Sequence, residues 1–252
     1  MNKKIGICLV GAAGRMGRAI VQEIAQSETV ALVAAIESQN HPCLGQVALN
    51  GVIFSCDKAS ALKQCDVIID FSVPTSTAEV IPFAMSFKKP LVCGVTGLPP
   101  DVNVKLEQAA EYIPVFYASN MARGIGAVEK AVRTIAGLTM YDVEIMEIHH
   151  AGKADLPSGT AITLGKAVTE ARSYKQSAFY RSKARAQKDE VGISSLRGGR
   201  EVGVHSVYFL GEYESIEVTY RVCSKAAFAK GAIEAAEYIV TQRNGLYSTV
   251  EP

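Results

Sequence analysis

Six residues, Ile5 to Val10, form a short and partly β-branched apolar run that ends in a glycine-spaced turn, Gly11-Ala12-Ala13-Gly14-Arg15-Met16-Gly17. A run of that kind has no polar face to offer water, so it reads as a strand covered on both sides, the environment a parallel sheet provides. Beyond the turn, Ile20, Val21, Ile24 and Ala25 recur at helical spacing, and Val30 to Ile36 reads as a second buried strand. A β-α-β opening of this length commits the chain to an α/β architecture.

The alternation continues. Val67 to Phe71 reads as a strand, a helix begins near Thr75, Leu91 to Cys93 is a strand, a helix covers Val102 to Tyr112, and Pro114 to Tyr117 is a strand. This is the pattern of a doubly wound, Rossmann-type parallel sheet, expected to occupy residues 1–121. After Asn120 the style changes: a helix from Gly124 to Leu138, a strand from Val143 to His149, a helix past Ser158, and interleaved polar and apolar residues at Val204 to Phe209 and Ile216 to Tyr220. Interleaving implies a sheet with one covered face, so residues 122–225 are expected to form a separate α+β domain with an open mixed sheet. The amphipathic stretch Ala226 to Val240 predicts a last helix, and residues 226–252 are expected to pack back on the first domain.

Composition excludes several function classes. With 48% hydrophobic and 20% charged residues in 252, the chain has the profile of an ordered globular protein. A formal net charge of +1 supplies no global field for nucleic acid or a membrane surface, which leaves a small-molecule partner. The basic stretch Lys175 to Lys188, with Arg181, Lys183 and Arg185, has only Phe179 and Tyr180 as an aromatic platform, so a solvated loop is expected there. The six cysteines lack CxxC spacing and are expected to be reduced, buried thiols. Glycines and Arg15 interrupt the N-terminal apolar run before a signal peptide or membrane span is complete, so a cytoplasmic location is expected.

The glycine turn follows a strand and opens a helix, the context in which backbone N–H groups and a helix N-terminus receive a pyrophosphate. Its spacing, G-x-x-G-x-x-G, departs from G-x-G-x-x-G, and a flavodoxin-like domain could offer a similar turn. Glu37, at the end of the second strand, adds weight because a carboxylate there can bind both ribose hydroxyls and repel a 2′-phosphate. With Ser38 beside it and no arginine, the pair favours NADH over NADPH, although Arg15 could still grip a phosphate. Two further loops, Phe71 to Thr75 and Gly94-Val95-Thr96-Gly97, leave the carboxyl ends of later strands and are placed to line the nicotinamide side.

The stretch Glu147-Ile148-His149-His150-Ala151-Gly152-Lys153-Ala154-Asp155-Leu156-Pro157-Ser158-Gly159-Thr160-Ala161 holds two of the four histidines. Reducing a C=C or C=N bond conjugated to a carboxylate needs a hydride on one carbon and a proton nearby, and a histidine titrating near neutrality suits the second task. His149 is the candidate donor. Lys153, the second catalytic candidate, offers a compact positive charge that can hold a carboxylate or assist proton transfer, while Ser158, Gly159 and Thr160 place hydroxyl and N–H groups at a helix start. The set suits a dianion. A metal site would need more ligands than cluster here, so none is expected, and a purely structural histidine pair is the remaining alternative.

At these residues the chain resembles the 4-hydroxy-tetrahydrodipicolinate reductase (dihydrodipicolinate reductase) family along nearly its whole length. The signature is His149-His150-x-x-Lys153-x-Asp155-x-Pro157-Ser158-Gly159-Thr160-Ala161, joined by the glycine turn, Phe71-Ser72-x-Pro74, Ala118-Ser119-Asn120-Met121 and Gly199-Arg200-x-x-Gly203-x-His205. The resemblance implies NAD or NADP contacts from Gly11, Ala12, Ala13, Gly14, Arg15 and Met16, from Glu37, from Gly94, Val95 and Thr96, and from Ala118, Ser119, Asn120 and Met121. It implies His149 as proton donor, His150 and Lys153 at the substrate, and Gly159 with Thr160 on a carboxylate. It further implies a homotetramer assembled through the second domain and a hinge that closes over the cofactor. Val95 stands where the family usually has a threonine, Ala122-Arg123 where a smaller or apolar stretch is usual, and Tyr220-Arg221 where His-Arg is common. The readings left to separate are this reductase, another dehydrogenase of a small dicarboxylate, and a non-catalytic nucleotide-sensing module.

Overall fold

The computed structural model describes residues 3–173, 179–180 and 190–250, with only the backbone of 179–180. The basic stretch read as a solvated loop lies outside them, apart from the backbone of those two residues. The chain divides into two compact units, residues 1–122 with 225–252 and residues 123–224.

Unit 1 carries β1 (Ile5–Val10), α1 (Arg15–Gln26), β2 (Val30–Ile36), β3 (Val47–Leu49), β4 (Val52–Ser55), α2 (Lys58–Gln64) and β5 (Val67–Asp70). It continues with α3 (Pro74–Ser86), β6 (Leu91–Cys93), α4 (Pro100–Ala110) and β7 (Pro114–Tyr117). The eight-stranded sheet has the order β13-β7-β6-β5-β1-β2-β4-β3, where β13 is Gly245–Tyr247, and every pair is parallel except β3 with β4. Alternating side chains feed two cores. Cys8, Val10, Ile68 and Leu91 meet the helices α2, α3 and α4, while Ile7, Leu9, Ile69 and Val92 meet α1 and α7 (Ala226–Ile239). That two-sided burial explains the uninterrupted apolar strands.

The helix α7 packs on α1 and on β5, β6 and β7. It does so closely because residue 231 is glycine: a Cβ there would stand 1.5 Å from the Met121 carbonyl oxygen.

Unit 2 carries α5 (Gly124–Leu138), β8 (Asp142–His149), α6 (Gly159–Ala171), β9 (Phe179–Tyr180), β10 (Val191–Arg197), β11 (Gly203–Leu210) and β12 (Ser215–Val222). Its mixed sheet runs β12-β11-β8-β10-β9, with β11 antiparallel to both neighbours and β10 parallel to β8 and β9. On one face Val143, Ile145, Val191, Ile193, Val207 and Phe209 pack with Val132 and Ala136 of α5 and with Ala161, Leu164 and Val168 of α6.

Three expectations need correction. The sequence reading passed over β3, β4, α2, β9, β10 and β13, all seven residues or shorter. Strand β12 alternates as expected, but β11 is buried at most positions on both sides, because it is an interior strand with polar residues turned inward. Of the cysteines, Cys8, Cys65 and Cys93 are buried, Cys43 is half-buried, and Cys56 and Cys223 are exposed, since these two follow strand ends that lead into polar segments.

Candidate functional site

In unit 1 the residues proposed for a dinucleotide gather at one sheet edge. Strands β7, β6, β5, β1 and β2 are consecutive neighbours and parallel, so Ala118, Gly94, Phe71, Gly11 and Glu37 follow their carboxyl ends side by side. The chain goes from β1 to β2 on one side and returns to β5 on the other, which makes the β1/β5 boundary the switch point where ligands enter such sheets.

The turn is built from backbone. Gly11 has φ +77°, a region L side chains avoid, and a Cβ on it would lie 2.8 Å from the Phe71 carbonyl oxygen. A Cβ on Gly17 would lie 2.1 Å from the Gly11 oxygen, so glycine there lets α1 start tight against the turn. The N-cap of α1 is Gly14, which has no side chain to satisfy the first-turn N–H groups of Arg15 and Met16. Those donors, with the helix dipole, are the kind of group that can receive a phosphate. Glu37 reaches the same turn, its Oε1 accepting from the Ala13 N–H at 2.6 Å. A pyrophosphate on helix donors and a ribose at this carboxylate is the arrangement a dinucleotide requires, so the residues fit the group.

Two features here escaped the sequence reading. Asp70, fully buried at the end of β5, accepts from the Ser72 N–H at 3.0 Å and from Thr77 Oγ1 at 2.7 Å, and so shapes the loop into α3. Burial pushes its carboxyl up, against the pull of the Ser72 and Thr77 hydrogen bonds. Phe71 lies where a Cβ on Gly94 would fall, 2.3 Å from its ring, so the β6 turn closes over an aromatic floor. Val95 is 4% exposed and packs in the core, so its side chain is not available to a ligand. Thr96 is exposed, while Met121 is buried with its carbonyl seated at Gly231 and Asn120 Oδ1 accepts from the Ala122 N–H at 2.9 Å.

In unit 2 the catalytic candidate, His149, lies on the covered face of the sheet, beyond its apolar half. The same period of two that buries Val143 and Ile145 puts Glu147 and His149 on that face, and the register places Ser195 and His205 beside Glu147 and Arg197 beside His149. Tyr220 lies opposite His205, so a polar row Tyr220, His205, Glu147, Ser195 crosses four strands.

Glu147 is the hub, fully buried. It accepts from Ser195 Oγ at 2.6 Å, Arg197 Nη2 at 3.1 Å and the Ser158 N–H at 3.1 Å, while His149 Nδ1 and His205 Nε2 stand 3.4 and 3.5 Å away. Burial alone would raise this carboxyl, but hydrogen bonds from His205, Ser158, Ser195 and Arg197 reverse that and hold it well below the usual carboxylate range. His149 is 6% exposed, and burial, then His205, push it down to about 4 despite the attraction of Glu147. The near-neutral imidazole expected from sequence is therefore a neutral one at pH 7, because desolvation outweighs its carboxylate neighbour.

The remaining candidates frame this row. Lys153 pairs with Asp155 at 2.7 Å, and Arg197 Nη2 donates to the Asp155 carbonyl at 2.7 Å. Ser158 caps α6, its Oγ accepting from the Ala161 N–H at 3.2 Å and lying 3.0 Å from His205 Nε2, so its hydroxyl is committed within the protein. Thr160 is buried in the first turn of α6, Gly159 opens that helix half-buried, and His150 follows the strand end half-buried. Glu147, His149 and His205 are the one metal-ligand-like group among the described residues, but Arg197, Ser195 and Ser158 already satisfy the carboxylate. Glu147, Ser195, Arg197 and His205 were not proposed from sequence as site residues, although Glu147 lay two positions before His149, the spacing that shares a strand face.

Comparisons with known proteins agree across the chain. Residues 5–121 match the family model for the N-terminus of dihydrodipicolinate reductase and residues 124–251 the model for its C-terminus. The 4-hydroxy-tetrahydrodipicolinate reductase of Geotalea uraniireducens is 38% identical, with 97% of this chain and 96% of that protein covered. That of Helicobacter hepaticus is 39% identical at the same coverage. Among solved structures, a dipicolinate-bound dihydrodipicolinate reductase from Paenisporosarcina sp. TG-14 matches with TM-score 0.76 at 22% identity, covering 98% of each chain. A myo-inositol 2-dehydrogenase from Lactobacillus plantarum matches with TM-score 0.65 at 12% identity, covering 97% of this chain and 91% of that one.

Proposed function

This chain belongs to the dihydrodipicolinate reductase family, and we propose that it reduces 4-hydroxy-tetrahydrodipicolinate to tetrahydrodipicolinate, in the diaminopimelate and lysine biosynthesis pathway. A nicotinamide dinucleotide, when bound, supplies the hydride. The observation that carries the reading is the buried row around Glu147, where His149 stands 3.4 Å from a carboxylate with Lys153 and the α6 start as cationic and N–H partners for a dianion.

In this reading unit 1 holds the dinucleotide. The N–H groups of Arg15 and Met16 receive the pyrophosphate, Glu37 receives the adenosine ribose, and the segments Gly94 to Thr96 and Ala118 to Met121 orient the nicotinamide end. Glu37 beside Ser38 favours NADH, since a 2′-phosphate would meet the carboxylate. Unit 2 holds the diacid. Gly159 and Thr160 offer one carboxylate the N-terminus of α6, and Lys153 exchanges Asp155 for the substrate. His149 supplies the proton: neutral in the free protein, it is raised by the arriving negative charges and becomes an imidazolium whose proton goes to the substrate.

We read the protein as a cytoplasmic homotetramer. The open face of the unit 2 sheet supports assembly there, with Leu196 and Leu210 exposed, and six cysteines without a disulfide support a reducing compartment. No helix among the described residues is long and apolar enough to cross a membrane. The test is to mix the product of the preceding pathway enzyme with this protein and follow NADH and NADPH absorbance separately. Oxidation that depends on that product, faster with NADH, is expected; no product-dependent oxidation of either would refute the reading.

A further inference from the structure

The carboxylate at the centre of the polar row has no direct part in the hydride and proton transfers, yet it costs the fold a fully buried charge. Its partners come from four places: Ser195 and Arg197 on β10, Ser158 at the start of α6, His205 on β11 and His149 on its own strand. Two of these belong to the proposed chemistry. Glu147 therefore touches both the proton donor and the N-cap of the helix that would receive a substrate carboxylate.

The geometry points to Glu147 as a positioning residue, which holds His149 by its Nδ1 edge, presents Nε2 for proton delivery and ties that imidazole to the start of α6. The inference rests on the reductase reading above. Three observations carry it. His149 Nδ1 is buried without a hydrogen-bond partner and lies 3.4 Å from Glu147 Oε2, close enough to tighten into one when the imidazole is charged. The opposite edge meets residue 203, where a Cβ would stand 3.1 Å from His149 Nε2, so glycine leaves that nitrogen its space. The Ser158 N–H donates to both Glu147 oxygens, at 3.1 and 3.3 Å, and Ser158 Oγ lies 3.0 Å from His205 Nε2, which closes the row.

Charge fixes the direction of the effect. The groups facing His149 are Glu147 on β8, Arg197 on β10, His205 on β11 and Lys153 in the loop after β8, with Tyr220 of β12 opposite His205. Only Glu147 among them favours the imidazolium. Removing its charge lowers the His149 pKa, and a rate that needs protonated His149 is then lost at lower pH as pH rises.

The experiment uses the full chain with nitrogen-15 histidine and the variants Glu147→Gln and Glu147→Asp. In wild type, neutral His149 is expected as the Nδ1–H tautomer, and in Glu147→Gln as a mixture or as Nε2–H. The alkaline limb of the kcat profile is expected to move down by about one pH unit or more in Glu147→Gln, the scale of losing an opposite charge at this distance. Glu147→Asp should return the limb towards its wild-type position with reduced kcat. A purely structural role would lower stability and leave the limb in place. An Nε2–H tautomer in wild type, or an unmoved limb in Glu147→Gln, overturns the proposal; if that variant does not fold, the wild-type tautomer decides. Absent reductase activity in wild type would refute the proposed function, and the tautomer would still test the contact.

Discussion

The two units build their sites from different materials. Unit 1 presents backbone: Gly11 and Gly17 leave room for close approach, a glycine caps α1 without a side chain, and the charged side chains that reach the turn, Glu37 and Arg18, engage the Ala13 backbone. Unit 2 presents side chains from three strands in register, buried and mutually hydrogen-bonded, around one carboxylate. A pyrophosphate asks for N–H groups and space, which glycines and a helix start supply. A proton transfer asks for an aimed, titrating group, and that needs a rigid and partly desolvated support. The first site should therefore fail by steric change and the second by loss of charge or aim.

The largest expected effect comes from adding one methyl in unit 1. Gly17→Ala puts a Cβ 2.1 Å from the Gly11 carbonyl oxygen, so α1 must shift. Thermal unfolding should show a loss of about 3 kcal/mol, the upper end for overpacking, with nucleotide binding reduced alongside. Wild-type stability and affinity together would show that the turn tolerates what the geometry forbids.

An equally small change in unit 2 should act on rate and spare the fold. Gly203→Ala places its Cβ 3.1 Å from His149 Nε2, and the displaced imidazole should cut kcat by roughly tenfold. Unchanged kcat would mean that the Gly203 gap does not set the aim of the ring.

The pH response should also separate the units. His149 is held neutral in the fold at about 4, below its unfolded value, so the unfolded chain binds the extra proton first. Stability then falls as pH drops from about 6.5 towards 4, by about 3 kcal/mol for this group. Glu147, whose carboxyl is depressed, adds to the loss only as pH falls below the ordinary carboxylate range. Denaturant titrations at pH 7 and pH 5 on wild type and His149→Gln check this, since the variant should lose the upper part of the slope. Identical slopes in both proteins would place the titration elsewhere.

The smallest effect concerns cofactor choice. If Glu37 binds the ribose as proposed, Glu37→Ala should raise Kd for NADH by about tenfold, the worth of one charge-assisted hydrogen bond, while NADPH changes less. Equal losses for both would argue against that contact.

Much of this was legible in the sequence because burial leaves a period. Strands β1, β2, β6 and β7 and helix α5 were read at their observed limits, since apolar runs covered on both sides and a long amphipathic stretch stand out. Short elements such as β3, β4 and β13 carry too few residues to show a period, and pairing with neighbours decides them. At the site, the adjacent pair His149-His150 and the turn glycines announced themselves by type, and His205 stood out only within a family motif, with no role read for it. Glu147, Ser195, Arg197 and His205 did not announce a role, because their meaning lies in cross-strand register, which joins positions up to 58 residues apart. Gly231 escaped for the same reason: nothing in its helix tells that the Met121 carbonyl rests on it.

The claim that unit 2 delivers a proton through His149 is tested most directly by the steady-state kcat of His149→Gln with its nucleotide affinity measured in parallel. The account predicts a fall of roughly 100-fold or more, with binding to unit 1 unchanged. Turnover at the wild-type rate would contradict it.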